Sequence, residues 1–150
     1  MTKSKRKSGV ISNRRVRYDY SVKDELEVGI VLTGAETKAL RNHQGNLTGA
    51  YVIVKDDELF LVNAKITGSS SSSIDENEQT RTRKLLAKKR EIGVLDKARV
   101  QGLSILPSEI LTGRKYIKLR IVIGQGKKRY DKRATLKARD DSRRIKTYKH

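Results

Sequence analysis

Apolar and charged positions alternate over residues 116–123, where Ile117, Leu119, Ile121 and Ile123 interleave with Tyr116, Lys118, Arg120 and Val122. A period of two places the first set on a core face of a β-strand and leaves the second face largely cationic. The preceding run LSILPSEIL pairs with KYIKLRIVI as a hairpin around Thr112–Gly113. Another hairpin is predicted from YVIVKDDELFLVNAKI, two β-rich runs about Asp56–Asp57. Leu26–Thr33 (LEVGIVLT) reads as a strand, and GAETKALRNHQG after it as a short helix stopped at Asn42–Gly45, with the glycine as its cap. A longer helix is expected over Thr80–Val100, because Leu85, Ile92 and Leu95 fall on one face and most of Arg81, Arg83, Lys84, Lys88, Lys89 and Arg90 fall elsewhere. Between them GSSSSSIDENEQ (68–79) is a polar, serine-rich linker with no expected place in the core. Locally paired strands, few helices and 150 residues indicate one mainly β domain, a small antiparallel barrel with flanking helices, of which an OB-like barrel is one form.

Charge changes this picture from a generic barrel to a polyanion binder. The formal net charge is +18, with seven Lys/Arg against one Asp in residues 1–20 and eleven against three Asp in 126–150, which leaves only +4 for the middle of the chain. Two basic arms therefore flank a nearly ordinary domain: a disordered arm over 1–12, a barrel over 13–125, and a C-terminal tail over 126–150 that is too polar to pack on its own body. Such a distribution favours a phosphate-bearing partner through counterion release and electrostatic steering. No run approaches the 18 apolar residues of a membrane span, the N-terminus MTKSKRKSG lacks a signal-type apolar region, and there is no cysteine. A soluble, intracellular protein without membrane, disulfide or thiolate metal site is the expectation.

Catalytic chemistry has little to draw on. His43 lies beside the helix stop and His150 is the last residue, so both are expected to be solvated. Glu25 and Glu27 share a strand face, the pattern of acid–base or metal work, yet no third ligand stands near them. Gly124–Gln125–Gly126 superficially resembles a phosphate loop, but no βαβ unit continues from it. Binding signals are stronger. Asn13, Arg14, Arg15 and Arg17 interleave with Tyr18 and Tyr20, joining cations to stacking rings, and Lys38 and Arg41 fall on the exposed side of the first helix.

These residues also carry a resemblance. NRRVRYDY (Asn13–Tyr20), EVGIVLTGAETKALR (Glu27–Arg41), NLTGAYV, RTRKLLAKKREI (Arg81–Ile92) and GKKRYDKRATLKARD (Gly126–Asp140) are similar, in order and spacing, to the small protein B family, the SsrA-binding proteins of bacterial trans-translation. The chain departs from that pattern in DENEQT before the RTR motif, in LLAKK, and at Gln125. The resemblance implies a six-stranded OB-like barrel and a role as an RNA-binding adaptor without catalysis or cofactor. Its implied partners are the tRNA-like part of transfer-messenger RNA (tmRNA), the stalled ribosome and a tRNA-delivering elongation factor, and it implies a monomer in the cytoplasm. It supplies Asn13, Glu27, Leu86 and Lys118 as RNA-facing residues, although Leu86 reads equally as core. Arg14, Arg15, Arg17, Lys38 and Arg41 join them by charge, and Asn46 completes the expected surface. In the tail, Gly126, Lys127, Lys128, Tyr130, Asp131, Lys132 and Arg133 resemble the motif that engages the decoding centre and mRNA channel. As a helix, about 20 tail residues would span about 30 Å.

Overall fold

The computed structural model describes residues 9–68 and 73–127. Its chain runs β1 (Val10–Ser12), α1 (Arg14–Asp19), β2 (Tyr20–Ile30), α2 (Gly34–Arg41), β3 (Gly45–Asn46), β4 (Tyr51–Lys55), β5 (Glu58–Val62), β6 (Lys65–Ile66), a 3₁₀ turn (Glu76–Glu78), β7 (Arg83–Leu86), α3 (Lys89–Val100), β8 (Ser104–Leu111) and β9 (Lys118–Gly126). Seven strands form one antiparallel sheet in the order β1-β8-β9-β2-β7-β5-β4, and β3 pairs with β6 as a separate ribbon. The sheet curls far enough that β4, at one edge, packs near β8 from the other side. The mainly β class with helices holds, and the strand count of the main sheet is seven where six were implied, the three-residue β1 among them.

Both predicted hairpins are present. Lys55 pairs with Glu58 across Asp56 and Asp57, whose φ values of 52° and 60° are those of the two central residues of a type I′ turn. Ile117, Leu119, Ile121 and Ile123 of the last hairpin are all buried in the main core with Val28, Leu59, Leu61 and Leu95. On the opposite face the alternation is only partly cationic. Val122 is fully buried in a second small cluster with Val16 and Leu106, because α1 lies across that end of the sheet.

α2 starts on a reciprocal cap: Thr33 Oγ1 accepts from the Glu36 N–H (3.1 Å), and Glu36 Oε1 accepts from the Thr33 N–H (2.9 Å). It stops two residues earlier than a cap at Gly45 would place it. His43 takes the left-handed conformation (φ 60°), with its N–H bonded to Leu40 O and the Gln44 N–H to Ala39 O, a Schellman closure. Gly45 serves another end, close approach: a Cβ there would lie 2.6 Å from Leu40 Cδ2.

Three expectations are overturned. Residues 10–12 belong to no disordered arm; they form β1 against β8, with Ile11 buried. The helix expected from Thr80 begins only at Lys89. Before it, Arg83 and Leu85 point inward and Lys84 and Leu86 outward, a period of two that fills the slot between β2 and β5. The helix-favouring residues of RKLL are overruled by that vacancy in the sheet. The 68–79 segment, expected to lack a core role, packs Ile74 against the core. Gln79 fastens it, donating from Nε2 to Ile74 O and accepting at its carbonyl from the Ile66 N–H (2.9 Å).

Candidate nucleic-acid interface

Four adjacent strands build one outer face. Register places Glu109, Arg120 and Glu27 side by side across β8, β9 and β2, and Lys118, Gly29 and Leu86 side by side across β9, β2 and β7. Their neighbours in sequence (Val28, Leu119, Leu85) point into the core, so period two alone sends this set outward. Leu86 is 55% exposed, which removes the core reading for it. It leans over Gly29, where a Cβ would come within 3.2 Å of its own Cβ.

Glu27 organises the cations of this face. Its Oε1 accepts from Arg114 Nη1 at 2.7 Å and its Oε2 from Arg120 Nη2 at 3.0 Å, while Arg120 Nη1 donates to Glu109. The Arg114 guanidinium first, and Arg120 after it, hold the Glu27 carboxyl below the usual carboxylate range. Their shared strand face would suit Glu25 and Glu27 to acid–base work as a couple. Instead each carboxylate faces arginine, Glu25 accepting from Arg17 Nη2 at 2.9 Å.

The remaining sequence-predicted residues divide by place. Arg14 and Lys38 are exposed. Arg15 stacks over the Tyr18 ring at 5.6 Å and lies 3.6 Å from the Asp19 carboxylate. Asn46 folds back locally, its Oδ1 accepting from the Thr48 N–H at 2.8 Å. Arg41 is exposed, as expected, and its guanidinium is engaged. Its guanidinium donates to the carbonyls of Thr112 (2.6 Å), Arg114 (2.9 Å) and Lys115 (2.8 Å), bracing the loop from which Arg114 reaches Glu27. Asn13 is buried, and its Nδ2 donates to Leu47 O and Pro107 O, both at 3.2 Å, so its first task is to tie the start of α1 to the loop after β3 and to strand β8. Lys127 ends the described chain, donating from its backbone to Asp19 O and from Nζ to Arg17 O. Gly126 closes β9, and Lys128, Tyr130, Asp131, Lys132 and Arg133 lie outside the described residues.

Sequence reasoning missed the Glu36–Arg81–Arg83 cluster. Arg83 is fully buried, its Nε donating to Glu36 Oε2 at 2.8 Å and its Nη atoms to the carbonyls of Ala64, Arg81, Glu78 and Gln79. Arg81 closes on Glu36 from the other side, at 2.6 and 3.0 Å. The available signal was the capping glutamate at Glu36, which pattern reading assigns to the helix alone.

A basic β module that sets pinned guanidinium groups and a lysine on an outer sheet face has the design of a polyanion-binding protein. The chain belongs to the SmpB protein family, whose pattern it matches over residues 10–150. It is 42% identical over 139 residues to an SsrA-binding protein of Protochlamydia amoebophila, covering 92% of this chain and 91% of the relative. An SsrA-binding protein of Chlamydia caviae is 40% identical over 139 residues, with 92% and 93% covered. Among solved structures, a chain from "tmRNA-SmpB: a journey to the center of the bacterial ribosome" superposes with a TM-score of 0.66 at 36% identity, over 81% of this chain and 86% of that one. Among the described residues no helix is long and apolar enough to cross a membrane.

Proposed function

We propose that this protein is an RNA-binding adaptor that holds the tRNA-like part of tmRNA on its outer sheet face and brings it to stalled ribosomes for rescue and peptide tagging. Membership of a family whose relatives are SsrA-binding proteins carries this reading. The convergence of Glu27, Leu86 and Lys118 on one face supports it. Arg114 and Arg120 are pinned by Glu27, so little side-chain entropy remains to be lost when phosphates approach. Lys118 adds a third cation, and Leu86 offers an apolar surface to a ribose or base. Chemistry at the peptidyl bond belongs to the ribosome in this reading, and the chain itself acts by positioning. A tRNA-delivering elongation factor accompanies the complex, the adaptor works as a monomer, and the site of action is the cytoplasm.

The tail from Gly126 onward takes the decoding centre and the empty mRNA channel. Its composition leaves it little to bury alone, and RNA walls would supply the phosphates that its Lys and Arg lack in solution. Truncation after Lys127 keeps both bonds of that residue to α1 and removes the rest. The shortened protein is expected to bind the tRNA-like domain nearly as tightly as the full chain and to lose tagging on stalled ribosomes. Full tagging by the truncated protein would remove the tail from the decoding centre. A collapse of tmRNA affinity would place the tail on tmRNA instead.

A further inference from the structure

At the other end of the sheet from Leu86 and Lys118, a cavity of about 470 Å³ opens between α1, the start of β4, the end of α3 and the start of β8. Val22, where α1 crosses the sheet, and Gly29 on the outer face are seven residues apart along β2, about 23 Å of strand. The two sites are therefore separate. The volume falls in the range of about 300–1,000 Å³ usual for sites that take small organic groups.

Its lining has three parts. Val16, Val52, Ile105 and Leu106 supply an apolar floor, all buried except at the cavity itself. Tyr51, 44% exposed, and Tyr20 supply aromatic surface. Arg15 and Arg99 stand at the mouth with more than half of each side chain exposed, Arg15 over the Tyr18 ring and 3.6 Å from Asp19, and Arg99 2.8 Å from Asp96. Surface pairs of that kind are weak enough for a phosphate to replace. Asn13 also lines the cavity, and its buried Oδ1 receives no hydrogen bond among the described residues. A buried acceptor left in that state costs stability until a donor reaches it.

We propose that this cavity accepts one unstacked nucleotide of an RNA strand, its base against Tyr51 and Tyr20 and its phosphate at the Arg15–Arg99 mouth. A base offers the flat face that tyrosine and an apolar floor accommodate, and exocyclic amines that an amide oxygen can receive. A lipid tail would leave the arginines unused, and an acidic peptide would leave the rings unused. The proposal rests on the RNA-binding reading and adds to it a second contact site, remote from the outer sheet face. Two RNAs could provide the nucleotide, tmRNA or the RNA of the small ribosomal subunit.

The test uses the full chain in three arms. Adenosine monophosphate is titrated while backbone amide NMR signals are followed. The tRNA-like domain of tmRNA and the isolated small subunit are each titrated with the wild type, Tyr51→Ala, Tyr51→Phe and Arg99→Gln. Expected are shifts at Tyr51, Ser104 and Ile105 with the nucleotide, and about a tenfold loss of affinity for one RNA in Tyr51→Ala that Tyr51→Phe restores. Loss against the tRNA-like domain assigns the nucleotide to tmRNA; loss against the subunit assigns it to ribosomal RNA. Unchanged binding of both RNAs by folded Tyr51→Ala and Arg99→Gln overturns the proposal. Failure of the wild type to bind either RNA overturns the adaptor reading instead, and in that case the nucleotide arm alone decides the cavity: shifts there uphold it, and their absence ends it.

Discussion

Glu36 receives guanidinium donors from two arginines while it caps α2, and it does so almost wholly out of water. Burial by itself would raise its carboxyl, but the Arg81 hydrogen bond, the Thr33 N–H and Arg83 outweigh burial and hold it below the ordinary 4.5. A carboxyl depressed on folding contributes stability above its unfolded value and loses it as pH falls through the folded value. Wild-type stability is therefore expected to drop as pH falls below about 4.5, and Glu36→Gln to flatten that drop, as read from urea midpoints across pH. At neutral pH, Glu36→Ala strands buried Arg83 and is expected to cost about 3–5 kcal/mol. Residues of the outer face separate by a different measurement. Lys118→Ala removes a phosphate contact, so it should weaken tmRNA binding and lower the slope of log affinity against log salt by about one. Arg41→Ala frees the 112–115 loop and should weaken binding through Arg114 with the slope nearly unchanged, which distinguishes bracing from direct contact. Glu27→Ala releases both arginines and is expected to reduce affinity as well. Wild-type affinity for tmRNA in both Glu27→Ala and Lys118→Ala would move the interface elsewhere.

At the scale of elements, the hairpins and α2 were legible because each carries its own instruction. Asp56–Asp57 tolerates the left-handed turn, and Thr33 with Glu36 three residues on announces a helix start. Thr33→Ala removes one half of that cap and is expected to destabilise the fold by about 1 kcal/mol, measured as a shift in denaturation midpoint at constant m-value. β7 was illegible for the opposite reason. RKLL has good helix formers and only four residues of period two, too few to outweigh the helical pattern that continues into α3. Its strand state comes from two neighbours, β2 and β5, which leave backbone groups that only a strand between them satisfies.

For the molecule as a whole, charge sets the behaviour toward RNA. With net charge +18 gathered toward the termini, binding to the tRNA-like domain should fall linearly in log affinity with log salt, and a flat response between about 50 and 200 mM would contradict a phosphate-based interface. Composition, charge placement and period two were enough to establish a mainly β body, strongly basic terminal sequences and an outward-facing Lys118 and Arg120, because these depend on residue type and local spacing. Tertiary structure decided the rest. Burial of Arg83 depends on Glu36, which is 47 residues away. The diversion of Arg41 depends on carbonyls more than 70 residues on. Asn13 meets Leu47 and Pro107 at separations of 34 and 94, and the cavity beside it collects α1, β4, α3 and β8. Local pattern says which way a side chain faces; only the pairing and packing of distant strands say what it faces.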